Sequence, residues 1–127
     1  MLKVIEVFSA NTPNGKKIGI MLEEVGFEYK ITKIDLNKGE QFKPDFKKIS
    51  PFSKIPVIVD HENEFEGQPL SIFESGAILM YLGEKTGKFF PQQSPMREKV
   101  LEWLFWQIGG LGPMAGQVSH FVNYAPN

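Results

Sequence analysis

The segment Lys54–Asp60, KIPVIVD, places a proline directly before a run of apolar strand formers. Because proline lacks the backbone donor that a central strand needs, Pro56 is expected to end a loop, with a cis peptide bond as one way of doing so. That arrangement would leave the backbone of Ile55 available to a ligand. A second segment, FESGAI, places an acid and a hydroxyl, Glu74 and Ser75, at the start of a helix. Together the two segments predict a cradle for a small peptide.

The composition limits the kind of protein and the kind of partner. The 127 residues are 42% hydrophobic, which is enough for a packed core without disulfide bonds. With 14 basic and 15 acidic residues the net charge is -1, so we expect no nucleic acid and no anionic membrane as partner. The chain has no cysteine, which excludes a cysteine-ligated zinc site and a cysteine nucleophile of its own. Any reactive thiol must therefore arrive with a ligand.

Neither a targeting signal nor a metal site is evident in the sequence. The first residues mix charged and apolar side chains without a signal-peptide pattern, and no apolar run approaches the roughly 20 residues that span a bilayer. We therefore expect a cytoplasmic protein that is not inserted in a membrane. His61 and His120 have no companion ligands at metal-binding spacing, so no metal is predicted.

Hydrophobic periodicity predicts an α/β domain with four strands and three helices. In chain order, the predicted elements are strand 4–8, a helix that ends at Gly26, strand 27–31, helix 44–49, strands 57–60 and 70–72, and helix 74–86. The first two strands should be parallel through a right-handed crossover, and the last two should form an antiparallel hairpin. The inner face of the third helix is predicted to consist of Ala77, Ile78, Tyr81 and Leu82. This order is that of a thioredoxin-like fold, with a mixed sheet covered by helices on both sides.

The chain continues beyond this first domain. We expect the thioredoxin-like domain to occupy residues 1–87, a linker 88–94, and an incomplete all-α domain 95–127. The new helix carries a broad apolar face that needs a partner, which could be the first domain, another subunit or, as we favour, further helices. The face consists of Val100, Trp103, Leu104, Trp106 and Ile108. The glycines that follow, Gly109, Gly110, Gly112 and Gly116, indicate either a close approach by a substrate or subunit or a helix break beside Pro113.

Four motifs give the chain a family resemblance. They are Thr12-Pro13-Asn14-Gly15, Lys54-Ile55-Pro56, Glu74-Ser75-Gly76-Ala77-Ile78 and WLFWQIGGLGPM from Trp103 to Met114. With these motifs the sequence resembles the cytosolic glutathione transferases, and most strongly the bacterial Nu class of glutathione-dependent disulfide-bond reductases, whose helical domain is longer. The resemblance implies glutathione or its disulfide as ligand, a small disulfide or an electrophile as substrate, and a homodimer of the full-length protein.

The resemblance assigns roles to the cradle residues. It makes Pro56 a cis-proline, pairs the backbone of Ile55 with the cysteinyl part of glutathione, and makes Glu74 and Ser75 ligands of the γ-glutamyl end. The chemistry agrees, because a γ-glutamyl group carries both an ammonium and a carboxylate. The Glu74 carboxylate can accept from the ammonium, while the helix N-terminus attracts the carboxylate.

Residues after the first strand are the candidates for catalysis. Thr12 and Asn14 lie at the carboxyl end of that strand, where open α/β sheets present ligands. Donors from a hydroxyl, an amide and a helix N-terminus would favour the thiolate of bound glutathione. The simpler alternative makes Thr12 or Asn14 a helix N-cap and Pro13 a turn residue, and capping can coexist with catalysis. Ser9 is a rival donor that we rank below Thr12 and Asn14.

Gln41 and Lys54 are two further candidates for contact with the ligand. Gln41 is placed by the resemblance at the glycyl end of glutathione, and Lys54 precedes Ile55 in the cradle, although both could be solvated surface residues.

The leading function is a glutathione-dependent disulfide-bond oxidoreductase that acts through a bound glutathione thiolate. Conjugation and peroxidase chemistry use the same thiolate. The alternative is a non-catalytic glutathione-binding or regulatory module.

Overall fold

The computed structural model describes residues 4–126. The chain divides into two units, the first ending at Thr86 and the second beginning at Gly87. The first unit contains β1 Ile5–Ser9, α1 Pro13–Val25, β2 Tyr29–Lys33, α2 Pro44–Ile49, β3 Val57–Phe65, β4 Gln68–Phe73 and α3 Ser75–Thr86. Two 3₁₀ turns, Leu36–Lys38 and Glu40–Phe42, lie between β2 and α2.

The four strands form one mixed sheet in the order β2-β1-β3-β4. β1 is parallel to β2, and the β1–β3 and β3–β4 pairs are antiparallel. The predicted thioredoxin-like α/β fold is therefore confirmed. Each face of the sheet has its own hydrophobic core: α1 and α3 cover one face, and α2 covers the other. Alternation along the strands produces this division, since Ile5, Val7 and Ile58 face α1 and α3 while Val57 packs with Phe46 of α2.

The hairpin of β3 and β4 is longer than predicted. β3 runs to Phe65 and β4 begins at Gln68, so the predicted loop of about eight residues is wrong. Glu66 and Gly67 have φ values of 53° and 75°, which suit a tight hairpin turn. The extra residues are exposed on both faces, and without a buried side they lack the alternation that marks a strand.

Helices α1 and α3 pack together on one face of the sheet. α1 ends as predicted at Gly26, whose φ of 73° gives the left-handed cap. In α3 the prediction for Ala77 is wrong, because that residue is exposed. The buried stripe instead includes Ser75, Ile78 and Leu82, at the three- and four-residue spacing of one helix face.

A buried carboxylate ties β3 to α3. Asp60 is fully buried and accepts hydrogen bonds from the Glu62 N–H at 2.9 Å, from Asn63 Nδ2 at 3.1 Å and from the Tyr81 hydroxyl. The Lys85 ammonium lies 2.9 Å from its Oδ2 atom. Burial by itself would raise the pKa of Asp60, but the hydrogen bonds outweigh burial and hold the pKa below its ordinary value.

The second unit is helical. α4 Met96–Trp106 continues through a π-helical stretch, Gln107–Leu111, into α5 Gly112–Asn123. The predicted helix break beside Pro113 is wrong, because the chain stays helical on both sides of this proline, which directly follows the π-helical stretch. A Cβ on Gly112 would lie 2.8 Å from the Gln107 carbonyl oxygen, so the chain's own preceding turn makes the close approach there.

The apolar face predicted for α4 is partly exposed. Trp103 and Trp106 are 68% and 54% exposed, and their rings meet edge to face at 5.5 Å. Val100, Leu104 and Ile108 are half-buried. No helix within residues 4–126 is both long enough and apolar enough to cross a bilayer.

Asp60→Asn tests the buried carboxylate. We expect it to lower the free energy of unfolding by about 2–3 kcal/mol at pH 7, because Lys85 and Tyr81 lose their charged partner. Urea denaturation measures the change. Glu62→Gln is the matched control, because it removes the exposed carboxylate that lies 2.9 Å from the same ammonium, and it should cost less than about 1 kcal/mol.

The difference in unfolding free energy between the wild type and Asp60→Asn should depend on pH, because the pKa of Asp60 is lowered in the folded protein. A carboxyl whose pKa falls on folding stabilises the fold fully above its unfolded pKa of about 3.9, and the contribution is lost as the pH falls through the folded value. The difference between the wild type and Asp60→Asn should therefore shrink below about pH 4. A difference that stays constant down to about pH 2, about two units below the unfolded pKa, would contradict this account.

Candidate functional site

Strand register brings three chain segments together at one end of the strands, which we call the sheet edge. Phe8 pairs with Val57, and Val57 pairs with Phe73. The end of β1, the start of β3 and the end of β4 therefore lie side by side. Neighbouring strands are about 4.8 Å apart, so these three strands span about 10 Å, the length of an extended tripeptide.

The segment before β3 contains the predicted cis peptide bond. The Ile55–Pro56 bond is cis, which confirms the expectation for this proline. The side chain of Ile55 packs against the core on the α2 face, which includes Phe46 and Val57. Lys54 is exposed beside it. The inward side chain of Ile55 fixes this residue, and its backbone lies at the edge where the three strands meet.

The segment after β4 opens α3. Glu74 is exposed and has a φ of 74°, a left-handed conformation that is uncommon for a residue with a side chain and is often found at functional sites. Its carbonyl accepts the first helical hydrogen bond, from the Ile78 N–H at 3.0 Å. Ser75 is only 7% exposed and occupies the first turn. An acid, a hydroxyl and a helix N-terminus therefore adjoin the cis-proline.

Lys17 is a charged neighbour that the sequence reasoning missed. Burial lowers the pKa of Lys17, and the Glu74 carboxylate opposes that effect. The ammonium on α1 therefore lies within electrostatic reach of the acid that precedes α3. Nothing in the sequence signals this pairing, because it depends on how α1 and α3 pack.

The loop after β1 caps α1. Thr12 is the N-cap, and its Oγ1 accepts from the Gly15 N–H at 3.1 Å. That bond uses a lone pair, so the hydroxyl hydrogen can still donate to a ligand. Asn14 is exposed in the first turn. The hydroxyl of Ser9 lies 3.4 Å from the Ala10 carbonyl oxygen and lines a groove of about 450 Å³ beside α1.

Gly15 allows α1 to start close to the end of β1. A Cβ at this position would overlap both the Ala10 carbonyl oxygen and the Ser9 hydroxyl. Gly15 belongs to the Thr12-Pro13-Asn14-Gly15 motif, but nothing in the sequence indicates this close approach. The close approach fixes the Thr12 turn at the sheet edge.

Gln41 lies in the 3₁₀ turn Glu40–Phe42. Its Oε1 atom is buried and has no hydrogen-bond partner among residues 4–126, while its Nε2 atom lies 3.4 Å from the Leu36 carbonyl oxygen. A buried acceptor without a partner is costly. A ligand carboxylate can accept only from the Nε2 atom, which has a second N–H besides the one directed at Leu36.

The described part of the chain shows no metal-binding cluster. Among residues 4–126, no three histidine, aspartate or glutamate side chains come together in an arrangement that could hold a metal ion. The polar groups at the strand edge are instead hydroxyl, amide, carboxylate and backbone groups. Such a set can bind a zwitterionic peptide and stabilise a thiolate.

The fold is that of a thioredoxin-like domain, whose strand register brings together the two segments predicted to hold a small peptide. The family model for the glutathione S-transferase N-terminal domain matches residues 3–84. The chain therefore belongs to the glutathione S-transferase family.

The chain is also similar to individual proteins. Over 123 residues it is 55% identical to the disulfide-bond oxidoreductase YfcG of Escherichia coli (strain K12), covering 97% of this chain and 57% of YfcG. A glutathione transferase family member from Pseudomonas fluorescens, with two glutathione bound, superimposes with a TM-score of 0.91 at 44% identity, covering 97% of this chain and 54% of that one. A glutathione transferase from Pseudomonas putida, with one glutathione disulfide bound per subunit, gives 0.88 at 46% identity, covering 97% and 53%. The chain thus spans about half the length of these relatives.

Gly15→Ala tests the close approach that fixes the Thr12 turn. We expect a loss of about 1–3 kcal/mol in unfolding free energy, because the new methyl group would overlap a backbone carbonyl. Gly19→Ala in the same helix is the control, since a Cβ there would meet no neighbouring atom within 4 Å and alanine favours a helix by about 1 kcal/mol. In thermal or urea denaturation, the unfolding midpoint should therefore fall for Gly15→Ala and rise for Gly19→Ala. Equal shifts would contradict the close approach.

Proposed function

We propose that this chain provides the glutathione-binding part of a glutathione-dependent disulfide-bond oxidoreductase. The observation that carries the proposal is the pairing of Val57 with Phe73, which sets cis-Pro56 beside Glu74 and Ser75. The similarity to YfcG and to structures that hold glutathione or its disulfide supports the same reading.

The cradle orients glutathione by its charges. The γ-glutamyl ammonium lies against the Glu74 carboxylate, and the γ-glutamyl carboxylate accepts from Ser75 and the N-terminal amides of α3. The cysteinyl residue pairs its backbone with Ile55. Gln41 then contacts the glycyl end, and Lys54 contacts the ligand beside Ile55. This order directs the thiol toward the loop that follows β1.

The Thr12 turn stabilises the thiolate of bound glutathione. A free thiol of this type has a pKa of about 8.5, and each unit of lowering needs about 1.4 kcal/mol. A hydrogen bond to a charged acceptor contributes about 1.5–3 kcal/mol. Donation from the Thr12 hydroxyl and the Asn14 amide can therefore lower the pKa of the thiol by one or two units, and the N-terminus of α1 adds to the effect.

The reaction is thiol–disulfide exchange in two steps. The glutathione thiolate attacks one sulfur of a small disulfide, the substrate S–S bond breaks, and the second substrate sulfur leaves as a thiolate that takes a proton. A second glutathione thiolate then attacks the glutathione sulfur of the mixed disulfide and releases the remaining substrate thiol. Two glutathione molecules are oxidised to one glutathione disulfide, and one substrate disulfide is reduced to two thiols.

The proposal extends to the setting of the reaction. The cytoplasm maintains glutathione as a thiol, so we place the activity there. Membership of the family supports a homodimer of the full-length protein and a small disulfide or electrophile as second substrate. Residues 1–87 form the glutathione-binding domain, 88–94 a linker and 95–127 the beginning of the all-α domain.

Thr12→Ala and Asn14→Ala test the thiolate site. Each should lower kcat/KM for glutathione-dependent reduction of a small disulfide about tenfold, and should shift the pH–rate profile upward as the pKa of the bound thiol rises. Thr12→Ser is the control, because it keeps both the cap and the hydroxyl. Undiminished turnover with an unshifted profile in both alanine variants would contradict the assignment. Glutathione binding without turnover in the wild type would favour the non-catalytic module.

Glu74→Gln tests the γ-glutamyl end with a modified ligand. N-acetylglutathione lacks the ammonium, so the wild type should bind it at least tenfold more weakly than glutathione in isothermal titration calorimetry. Glu74→Gln should lose most of that discrimination. Glu66→Gln is the control, since Glu66 is also an exposed glutamate with positive φ but lies in the distant hairpin turn. Discrimination retained in Glu74→Gln would remove Glu74 from the site.

A further inference from the structure

Ser50 is a fully buried polar residue between α2 and the cradle. Its backbone N–H, its carbonyl and its hydroxyl all have hydrogen-bond partners. Its N–H donates to the Phe46 carbonyl at 2.9 Å, and its own carbonyl accepts from the Ser53 N–H at 2.9 Å. Its hydroxyl donates to the Lys54 carbonyl at 2.7 Å and accepts from the Lys54 N–H at 3.1 Å.

These bonds join two parts of the candidate site. The bond to Phe46 fixes Ser50 to the last turn of α2, the helix that follows the turn containing Gln41. The two hydroxyl bonds hold both backbone groups of Lys54, the residue directly before Ile55. A single residue therefore links the end of α2, through its backbone, to the segment that enters the cis peptide bond, through its side chain.

The loop that Ser50 closes has few other contacts, among them the Phe52 ring, whose centroid lies 6.3 Å from that of Phe73. Pro51, Phe52 and Lys54 are exposed, and Ser53 adopts a left-handed φ of 58°. A serine hydroxyl can donate and accept at once, which alanine cannot do. Without the hydroxyl, both backbone groups of Lys54 lose their partner, and water can replace it only by letting the exposed loop move.

We propose that Ser50 is a positioning residue for glutathione, acting through the backbone of Lys54 and Ile55 without touching the ligand. The inference rests on the proposed function, because it requires the Ile55 backbone to pair with the cysteinyl part of glutathione. A displaced Ile55 weakens that pairing, whereas the Thr12 turn on another loop is unaffected. Loss of the hydroxyl therefore reduces the affinity for glutathione more than it reduces kcat at saturating glutathione.

Ser50→Ala tests the proposal by calorimetry with glutathione. We expect a Kd about three- to tenfold higher, the effect of one or two lost hydrogen bonds, with kcat at saturating glutathione changed less than about twofold. Amide exchange at Lys54 should become faster. The matched control is Thr86→Val, because the Thr86 hydroxyl also donates to a backbone carbonyl at 2.7 Å but lies at the end of α3. Its Kd should stay within about twofold of the wild type.

The outcomes separate this proposal from the proposed function. A wild type that does not bind glutathione overturns both. A wild type that binds glutathione, together with a folded Ser50→Ala of equal Kd, overturns only the role of Ser50. An equal rise in Kd for Thr86→Val also overturns it, since the effect would then be general destabilisation. If Ser50→Ala does not fold, Ser50→Cys decides by the same Kd comparison, because its thiol keeps the volume but bonds weakly.

Discussion

Val57 is paired on both sides, with Phe8 of β1 and with Phe73 of β4. This double pairing at the first residue of β3 is the constraint on which the site depends. It aligns the exit of β1, the entry to β3 and the exit of β4, so that three loops of different sequence meet at one edge. A slip of one residue would turn Val57 out of the core on the α2 face and would separate the cis-proline from the start of α3.

The two ends of the sheet differ in how their polar and charged groups are bonded. At one end, the Asp60 carboxylate is saturated by donors from β3 and α3, including Tyr81 and Lys85. At the other end, Glu74 holds a left-handed backbone conformation that costs free energy. The two ends are only three residues apart along β3, from Val57 to Asp60. The well-bonded end therefore lies close to the edge at which we propose that glutathione binds.

The sequence predicted the features that local chemistry determines. The glycine cap of α1 and the alternation within β1 can be read from the residues themselves, whereas the cis bond at Pro56 was assigned by the family resemblance, because local chemistry offered it only as one way to end a loop. The full length of β3 was missed, because its second half has no buried side to impose alternation. The environments of Lys17 and Ser50 were missed for another reason. Lys17 depends on Glu74, which is distant in sequence, and Ser50 depends on a loop conformation that turns both backbone groups of Lys54 toward its hydroxyl.

The most direct test of the cradle is an NMR titration of the ¹⁵N-labelled chain with glutathione. The account predicts that the largest changes in amide shifts fall on the Thr12 turn, Ile55 and Ser75, while the amide of Asp60 changes little. Changes centred on Asp60, or on the groove beside α1 that Gly19 lines, with the cradle amides unmoved, would contradict it.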